Sequence, residues 1–416
     1  MLDDLDHRAR QVLVNNDRGN YTIPTAGLYP YQWNWDSAFA ALGFSNFDVE
    51  RAWTEIETLF AGQWPDGMVP HILFHEVNEG YFPGPDIWGG IGPVPSSGIT
   101  QPPVAISFAR RIAIRDSHRA ESRLAALYPA MLGWHRWFMR WRLDAHGAVC
   151  VTHPWEGGRD NAPDWDRAMT KIPLESAGRY HRRDTAHVAA EMRPKREDYD
   201  RYLWLVNQGR ELQWNQAQLR DENPFRVADP AMTFICLRAA RDLLATGTEL
   251  GLEIDGLAAD VRRLQEGAES LWNESINSFD SRTAGDGFND VESSAAFLCW
   301  YAGIDQREQL KRLRIALKQV PYPIASCDPD SQQFEALRYW RGPTWAFMNY
   351  LIGIGLEEFA LEDEADILRE ATRSLISRSG FYEYYNPLTG QAAGGGSFAW
   401  TATVWLDWAG RYEEDK

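Results

Sequence analysis

Apolar positions recur along most of the chain at helical spacing. Over 255–273, Leu257, Val261, Leu264, Ala268 and Leu271 fall on one stripe, and over 361–377 Ile367, Leu368, Ala371 and Leu375 do the same. Spacing by threes and fours is that of an amphipathic helix. The same pattern occurs near 4–15, 36–45, 48–61, 103–116, 121–142, 199–210, 229–246, 290–302, 305–318, 344–356 and 400–412, about a dozen helices in all. Period-two alternation is scarce, and 149–152 is a short candidate strand. Long segments rich in Gly, Pro and aromatics separate the helices at 17–35, 63–100, 153–198, 322–343 and 380–399. Loops of this length inside a compact domain are usually functional.

No low-complexity linker divides the chain. The pattern predicts an all-α fold in a single domain over 1–416, with loop insertions at about 63–100 and 153–198. Helix pairs joined by elaborate loops suggest an (α/α) barrel that carries its site on the loops at one end. A helical solenoid is the alternative architecture, but no fixed repeat of about 34 or 40 residues is present.

Composition narrows the function. Hydrophobic residues at 44% and charged residues at 24% allow a substantial core and exclude wholesale disorder. Lys plus Arg number 42 against 59 Asp plus Glu, a net charge of −17, which is the wrong sign for a nucleic-acid partner. Cys150, Cys236, Cys299 and Cys327 stand singly with no CxxC, which supports neither a zinc site nor a disulfide framework. The start, MLDDLDHRARQVLV, is unlike a signal peptide, and no apolar run is long enough to span a membrane. A cytoplasmic protein without a membrane partner is expected. The 19 Trp, 16 Tyr and 18 Phe amount to 13% aromatic. Aromatic faces stack on the C–H faces of sugar rings, while carboxylates and amides meet the hydroxyls. A Trp-rich core would give the same composition, so local motifs must decide.

Tyr29-Pro30-Tyr31-Gln32-Trp33-Asn34-Trp35-Asp36-Ser37 sets aromatics beside a carboxylate. Asp36 can cap the following helix. It can equally accept hydroxyl protons from a sugar lying on Trp35. The segment His153–Asp166 holds four acids in fourteen residues, with Gly157 and Gly158 among them and Trp155 and Trp165 on the flanks. Such a stretch is often a solvated loop. An acid beside an apolar ring, however, has its pKa raised, as a general acid requires. Glu383 lies between Tyr382 and Tyr384, ahead of the Asn386-Pro387-Leu388-Thr389-Gly390 turn and more than 200 residues from that segment. It fits the second member of a carboxyl pair. Tyr339-Trp340-Arg341-Gly342-Pro343-Thr344-Trp345 reads as a helix start whose Trp340 and Trp345 line a pocket or plug the fold. Tyr81 and Gln101 lie in otherwise ordinary segments.

The motifs YQWNWDS, PWEGGRDN, YWRGPTW and YEYYNPLTG…FAWTA together resemble glycoside hydrolase family 63 over nearly the whole chain. That resemblance implies an (α/α)6 barrel and hydrolysis with inversion at the anomeric carbon. It makes Asp160 the general acid and Glu383 the general base. The stretch Glu191–Trp204, with its Arg-Pro…Tyr-Asp-Arg-Tyr, is similar to the compact bacterial mannosylglycerate and glucosylglycerate hydrolases. Carried over, Arg193 and Tyr199 would meet a glycerate carboxylate, consistent with the planar fork of arginine. Tyr29, Trp33, Trp35, Asp36, Tyr81, Gln101, Trp155, Trp340 and Trp345 match the substrate pocket. Two departures concern the aglycone. Gly394-Gly395-Gly396-Ser397 stands where an amide side chain is expected near the glycerate, and Tyr180-His181-Arg182-Arg183 is an unusual run.

The expected reaction is hydrolysis of a small α-glycoside, mannosyl- or glucosylglycerate. No cofactor and no metal is required, and no D-x-D-x-D-G calcium loop occurs. An α-glucosidase or α-mannosidase acting on another small glycoside, a trehalase-like enzyme, and a non-catalytic sugar-binding barrel stay open as alternatives. Association of like copies through outer helices is compatible with such a fold.

Overall fold

Two kinds of helix build the protein. Some carry few polar residues and bury all of them: Asn34–Phe44 is NWDSAFAALGF, and Ala346–Leu356 is AFMNYLIGIGL. Others carry one apolar stripe and a charged face, as in Arg307–Gln319, REQLKRLRIALKQ. A helix without a polar face must be enclosed, and one with a stripe lies on the outside.

The computed structural model describes residues 2–174 and 180–411. Its helices are α1 (Leu2–Asn16), α2 (Asn34–Phe44), α3 (Val49–Ala61), α4 (Pro85–Trp88), α5 (Val104–Arg115), α6 (Ala120–Trp141), α7 (Pro154–Gly157) and α8 (Asp166–Met169). They continue with α9 (Arg196–Glu211), α10 (Gln216–Glu222), α11 (Pro230–Leu250), α12 (Leu257–Glu269), α13 (Arg307–Gln319), α14 (Ala346–Glu358), α15 (Glu362–Ser379) and α16 (Ala399–Val404). The fold is mostly helical, with a few small antiparallel sheets. Buried α2 packs on α3, α5 and α16. Helix α5 packs on α11, and α11 on α12 and on the 3-10 segment Ser294–Cys299. That segment packs on α14, which in turn meets α15 and α16. One hydrophobic cluster runs from Leu5 to Ala409. Among the described residues no helix is long and apolar enough to cross a membrane.

The helical periods place most elements correctly, and 149–152 contains the strand Cys150–Val151. The expected helix at 290–302 is instead the 3-10 segment Ser294–Cys299. Its apolar run is buried throughout, so no polar face marks its period, and a bridge between Ser293 and Cys327 ties its start to another loop. The loop expected at 380–399 is a hairpin of Tyr382–Tyr385 and Ala392–Gly396 with an irregularity between Ala393 and Gly396. Glu383, Tyr384 and Tyr385 are all buried, so no in–out alternation announces that strand. The last expected helix, 400–412, is α16 followed by a π turn at Trp405–Ala409, and residue 412 lies outside the described residues. So do residues 175–179 of the expected insertion at 153–198.

Buried polar ties hold the long loops over the helices. Glu55 accepts from Thr22 N at 3.1 Å, Thr22 Oγ1 at 2.7 Å and Arg51 Nη2 at 2.7 Å. Asn16 Nδ2 donates to Ser397 O at 2.9 Å, and Ala399 N donates to Pro24 O at 2.9 Å. The loop bearing Tyr29 is thereby fastened to the hairpin bearing Glu383.

Candidate active site

A cavity opens among the loops 17–35, 63–100, 153–198 and 380–399. Asp160 and Glu383, far apart in the chain, both line it. So do Tyr29, Trp33, Trp35, Asp36, Tyr81, Gln101, Trp155, Arg193 and Tyr199.

The acid-rich segment sorts itself by partners. Glu156 is buried against Arg142 at 2.8 Å and accepts from Thr152 N at 2.8 Å. Asp164 pairs with Arg159 at 2.7 Å, and Asp166 takes both arms of Arg341 at 2.8 and 2.9 Å. Three of the four acids are thus neutralised by an arginine and hold the loop in shape. Among the described residues Asp160 has no cation within ion-pair distance. Gly158 and Asn161 flank it with φ of +68 and +59. A Cβ on Gly158 would fall 2.5 Å from the Trp35 ring, so only glycine lets this backbone lie on that tryptophan. Burial pushes the Asp160 carboxyl up to about 7, with help from Glu383 and against the pull of Arg193, its own backbone N–H and Trp155.

Glu383 is buried too, but it is richly supplied with donors. Tyr29 Oη donates to its Oε1 at 2.8 Å, Gly395 N donates to its Oε2 at 3.0 Å, and Arg193 Nη1 stands 3.5 Å away. Burial raises its pKa, while Arg193, the Gly395 N–H and the Tyr29 and Tyr339 hydroxyls all draw it back. The glycine run has a direct cause here. Gly394 has φ of +72, and a Cβ on it would overlap Glu383 Oε2.

Around these acids, Trp35 stands edge-on to Phe347 at 4.8 Å, and its backbone N–H donates to Gln101 Oε1 at 3.2 Å, tying Gln101 to the start of α2. Asp36 sits in the first turn of α2, and burial followed by repulsion from Glu383 holds its carboxyl well above the usual range. Tyr81 meets Trp33 edge-on at 5.2 Å, and Trp155 lies parallel to His71 at 6.4 Å. Arg193 donates from Nη1 to Tyr29 Oη at 2.8 Å and from Nε to Asp184 Oδ2 at 3.1 Å. Tyr199 Oη donates to the same Asp184 oxygen at 3.2 Å. Among the described residues no three His, Cys, Asp or Glu gather as a metal site.

Residues 29–401 match the mannosylglycerate hydrolase MGH1-like glycoside hydrolase domain. The chain belongs to that family. This family member is 43% identical over 413 residues to mannosylglycerate hydrolase MGH1 of Selaginella moellendorffii, covering 96% of this chain and 84% of the relative. It is 32% identical over 436 residues to the glucosylglycerate hydrolase of Mycolicibacterium hassiacum, covering 97% of each. The crystal structure of the GH63 mannosylglycerate hydrolase of Thermus thermophilus with Tris and D-glycerate superposes with a TM-score of 0.93 at 41% identity, covering 97% of this chain and 99% of that one. The protein is a glycosidase.

Two expected pocket residues sit elsewhere. Trp340 and Trp345 are buried behind the cavity, stacked on each other at 4.1 Å. They support rather than line it: Trp340 N donates to Asn161 Oδ1 at 3.2 Å, beside Asp160, and the Trp345 ring lies 4.7 Å from Tyr384. Ser397 is exposed and off the cavity wall. The residues sequence reading passed over include His71, Asp184, Tyr339 and Trp400, all on the wall. Tyr339 has φ of +42, a rare and strained value for an aromatic residue, and its ring lies under Arg193 at 4.2 Å. Only its place in the YWRGPTW motif hinted at it. His71 donates to or accepts from Ser97 Oγ through Nδ1 at 2.9 Å, and burial with nearby His153 keeps it neutral. A lone histidine in an apolar run carries no sequence signal of that kind.

Proposed function

We propose that this glycosidase hydrolyses mannosylglycerate or glucosylglycerate with inversion, releasing the sugar and glycerate. The observation that carries the reading is the contrast between two buried carboxyls on one cavity. Asp160 lacks an ion-pair partner among the described residues and is pushed up to about 7, while Glu383 is surrounded by donors. Asp160 serves as the general acid, giving its proton to the glycosidic oxygen. Glu383 serves as the general base, taking a proton from a water on the opposite face of the ring. Inversion requires room for that water, so the carboxyl groups are expected about 6.5–9.5 Å apart, against about 5–5.5 Å for retention. Glu383 accepts its hydrogen bonds from Tyr29 and Gly395, and among the described residues none joins it to Asp160.

Trp33, Trp35, Asp36, Tyr81, Gln101 and Trp155 surround the sugar, with Asp36 accepting from its hydroxyls. Arg193 and Tyr199 face the glycerate. The frame is a single domain over 1–416, an (α/α)6 barrel whose inner ring is α2, α5, α11, Ser294–Cys299, α14 and α16. The order in which these elements pack on one another supports that arrangement. A cytoplasmic setting accords with four buried, unpaired cysteines.

Proton NMR of both glycosylglycerates during hydrolysis tests the reading. The β-hexose should appear first, together with free glycerate, before mutarotation. Initial release of the α-anomer, or no glycerate release from either compound, would overturn it.

A further inference from the structure

One end of the cavity holds an ion-paired carboxylate, Asp184, whose partner Arg182 belongs to the run Tyr180–Arg183 that the resemblance left unexplained. Arg182 holds Asp184 side-on, Nε to Oδ1 at 3.0 Å and Nη2 to Oδ2 at 2.6 Å. Its remaining arm donates from Nη1 to Pro194 O at 2.6 Å, and its guanidinium lies on the Tyr199 ring at 3.7 Å. Arg193 Nε and Tyr199 Oη complete the set around the same Asp184. Paired parallel N–H donors to two carboxylate oxygens are the geometry by which arginine selects carboxylates.

Asp184 lines the cavity, and Arg182 stands behind it. The charges balance: Arg182 and Arg193 face Asp184 and Glu383. A third carboxylate brought to this end of the cavity would leave it one negative charge in excess, which a low-dielectric site disfavours. Withdrawal of Asp184 toward solvent restores the balance and frees a ready-made fork. His181, Arg183 and Thr185 beside it are exposed, and the Asp184 side chain keeps about 10% exposure, so its withdrawal exchanges its contacts with Arg182, Arg193 and Tyr199 for water.

We infer that Arg182 is a further specificity-determining residue, binding the carboxylate of the aglycone in competition with Asp184. The inference rests on the proposed glycosylglycerate activity and deepens it. It explains how the chain recognises an acid aglycone although Ser397 lies off the wall.

Binding of D-glycerate, measured by calorimetry on the whole protein, tests the rivalry. Asp184→Asn should tighten it, by about tenfold for one charge-assisted contact relieved. Arg182→Gln should weaken it by a similar factor. It should also lower the ratio of kcat/KM for a glycosylglycerate over that for the neutral glucosylglycerol. Arg182→Lys, which keeps the charge but not the fork, should recover part of both. Weaker or unchanged glycerate binding in Asp184→Asn, or an unchanged substrate ratio in Arg182→Gln, would overturn the inference while wild-type hydrolysis of glycosylglycerates still upheld the activity. A wild-type protein that neither hydrolyses them nor binds glycerate would remove both.

Discussion

The segments around Asp160 and Glu383 solve opposite problems with the same functional group. Asp160 sits in a tight loop between short helices, on backbone of left-handed φ, where three neighbouring acids have each taken an arginine and it has none among the described residues. Glu383 sits on a strand, wrapped by the Gly394–Gly395 backbone and faced by Tyr29 and Arg193. Both are buried, so burial alone does not tell them apart. The supply of donors does. A carboxyl short of donors keeps its proton near neutrality, and one that is well supplied gives it up more readily. Acid and base roles are thus assigned by surroundings rather than by residue type.

The largest expected effect comes from removing either partner. Asp160→Asn and Glu383→Gln should each lower kcat by about 10²–10⁴-fold, the usual share of a general acid or base. Circular dichroism and thermal unfolding should show the fold retained. Near-normal turnover in either variant would break the comparison outright.

Next in size is a change that makes the base more like the acid. Tyr29→Phe removes the hydroxyl that donates to Glu383 Oε1. Glu383 should then hold its proton to higher pH, moving the acidic limb of the kcat/KM profile upward. Turnover on the acidic limb should fall by about tenfold, the worth of one hydrogen bond to a charged group. An unmoved acidic limb would remove Tyr29 from the support of the base.

The wild-type profile sharpens the contrast from the other side. Asp160 must be protonated to act, and its carboxyl is pushed up to about 7 by burial. Activity should therefore decline as pH rises through about 7, and Asp160→Asn should lose that limb from its residual rate.

The smallest effect is on stability. Because the Asp160 pKa is higher folded than unfolded, the folded state pays for the charged form as pH climbs from about 4 to about 7. Asp160→Asn should be more stable than wild type at pH 8 by about 1 kcal/mol or more, with the gain vanishing near pH 4. Urea unfolding at the two pH values checks the sign.

Much of the frame was legible in the chain. The stripes of α12 and α15 and the mostly apolar α2 and α14 encode which helices carry an exposed face and which are enclosed, because local periodicity and burial are coupled. The 3-10 segment and the Glu383 hairpin were not legible, since residues buried on every side show no period. The motifs named both acids and most of the cavity wall. They left open whether Trp340 and Trp345 line the pocket or plug the fold, because a tryptophan beside a site and one within it look alike in a linear string; both are buried behind the cavity.

The sequence by itself determined the helical periods, the acidic and aromatic character, and which carboxyls come under suspicion, since these depend on residue type and near neighbours. Only the tertiary structure decided which acid in the fourteen-residue segment is left without an arginine among the described residues, and that Asp184 sits on the fork of Arg182. Arg341 comes from 175 residues away, but Arg142, Arg159, Arg182 and Arg193 lie within 14 residues of their partners, so those outcomes turn on how the loops fold the charges together. A charge's partner, and hence its proton, is a property of space rather than of sequence order.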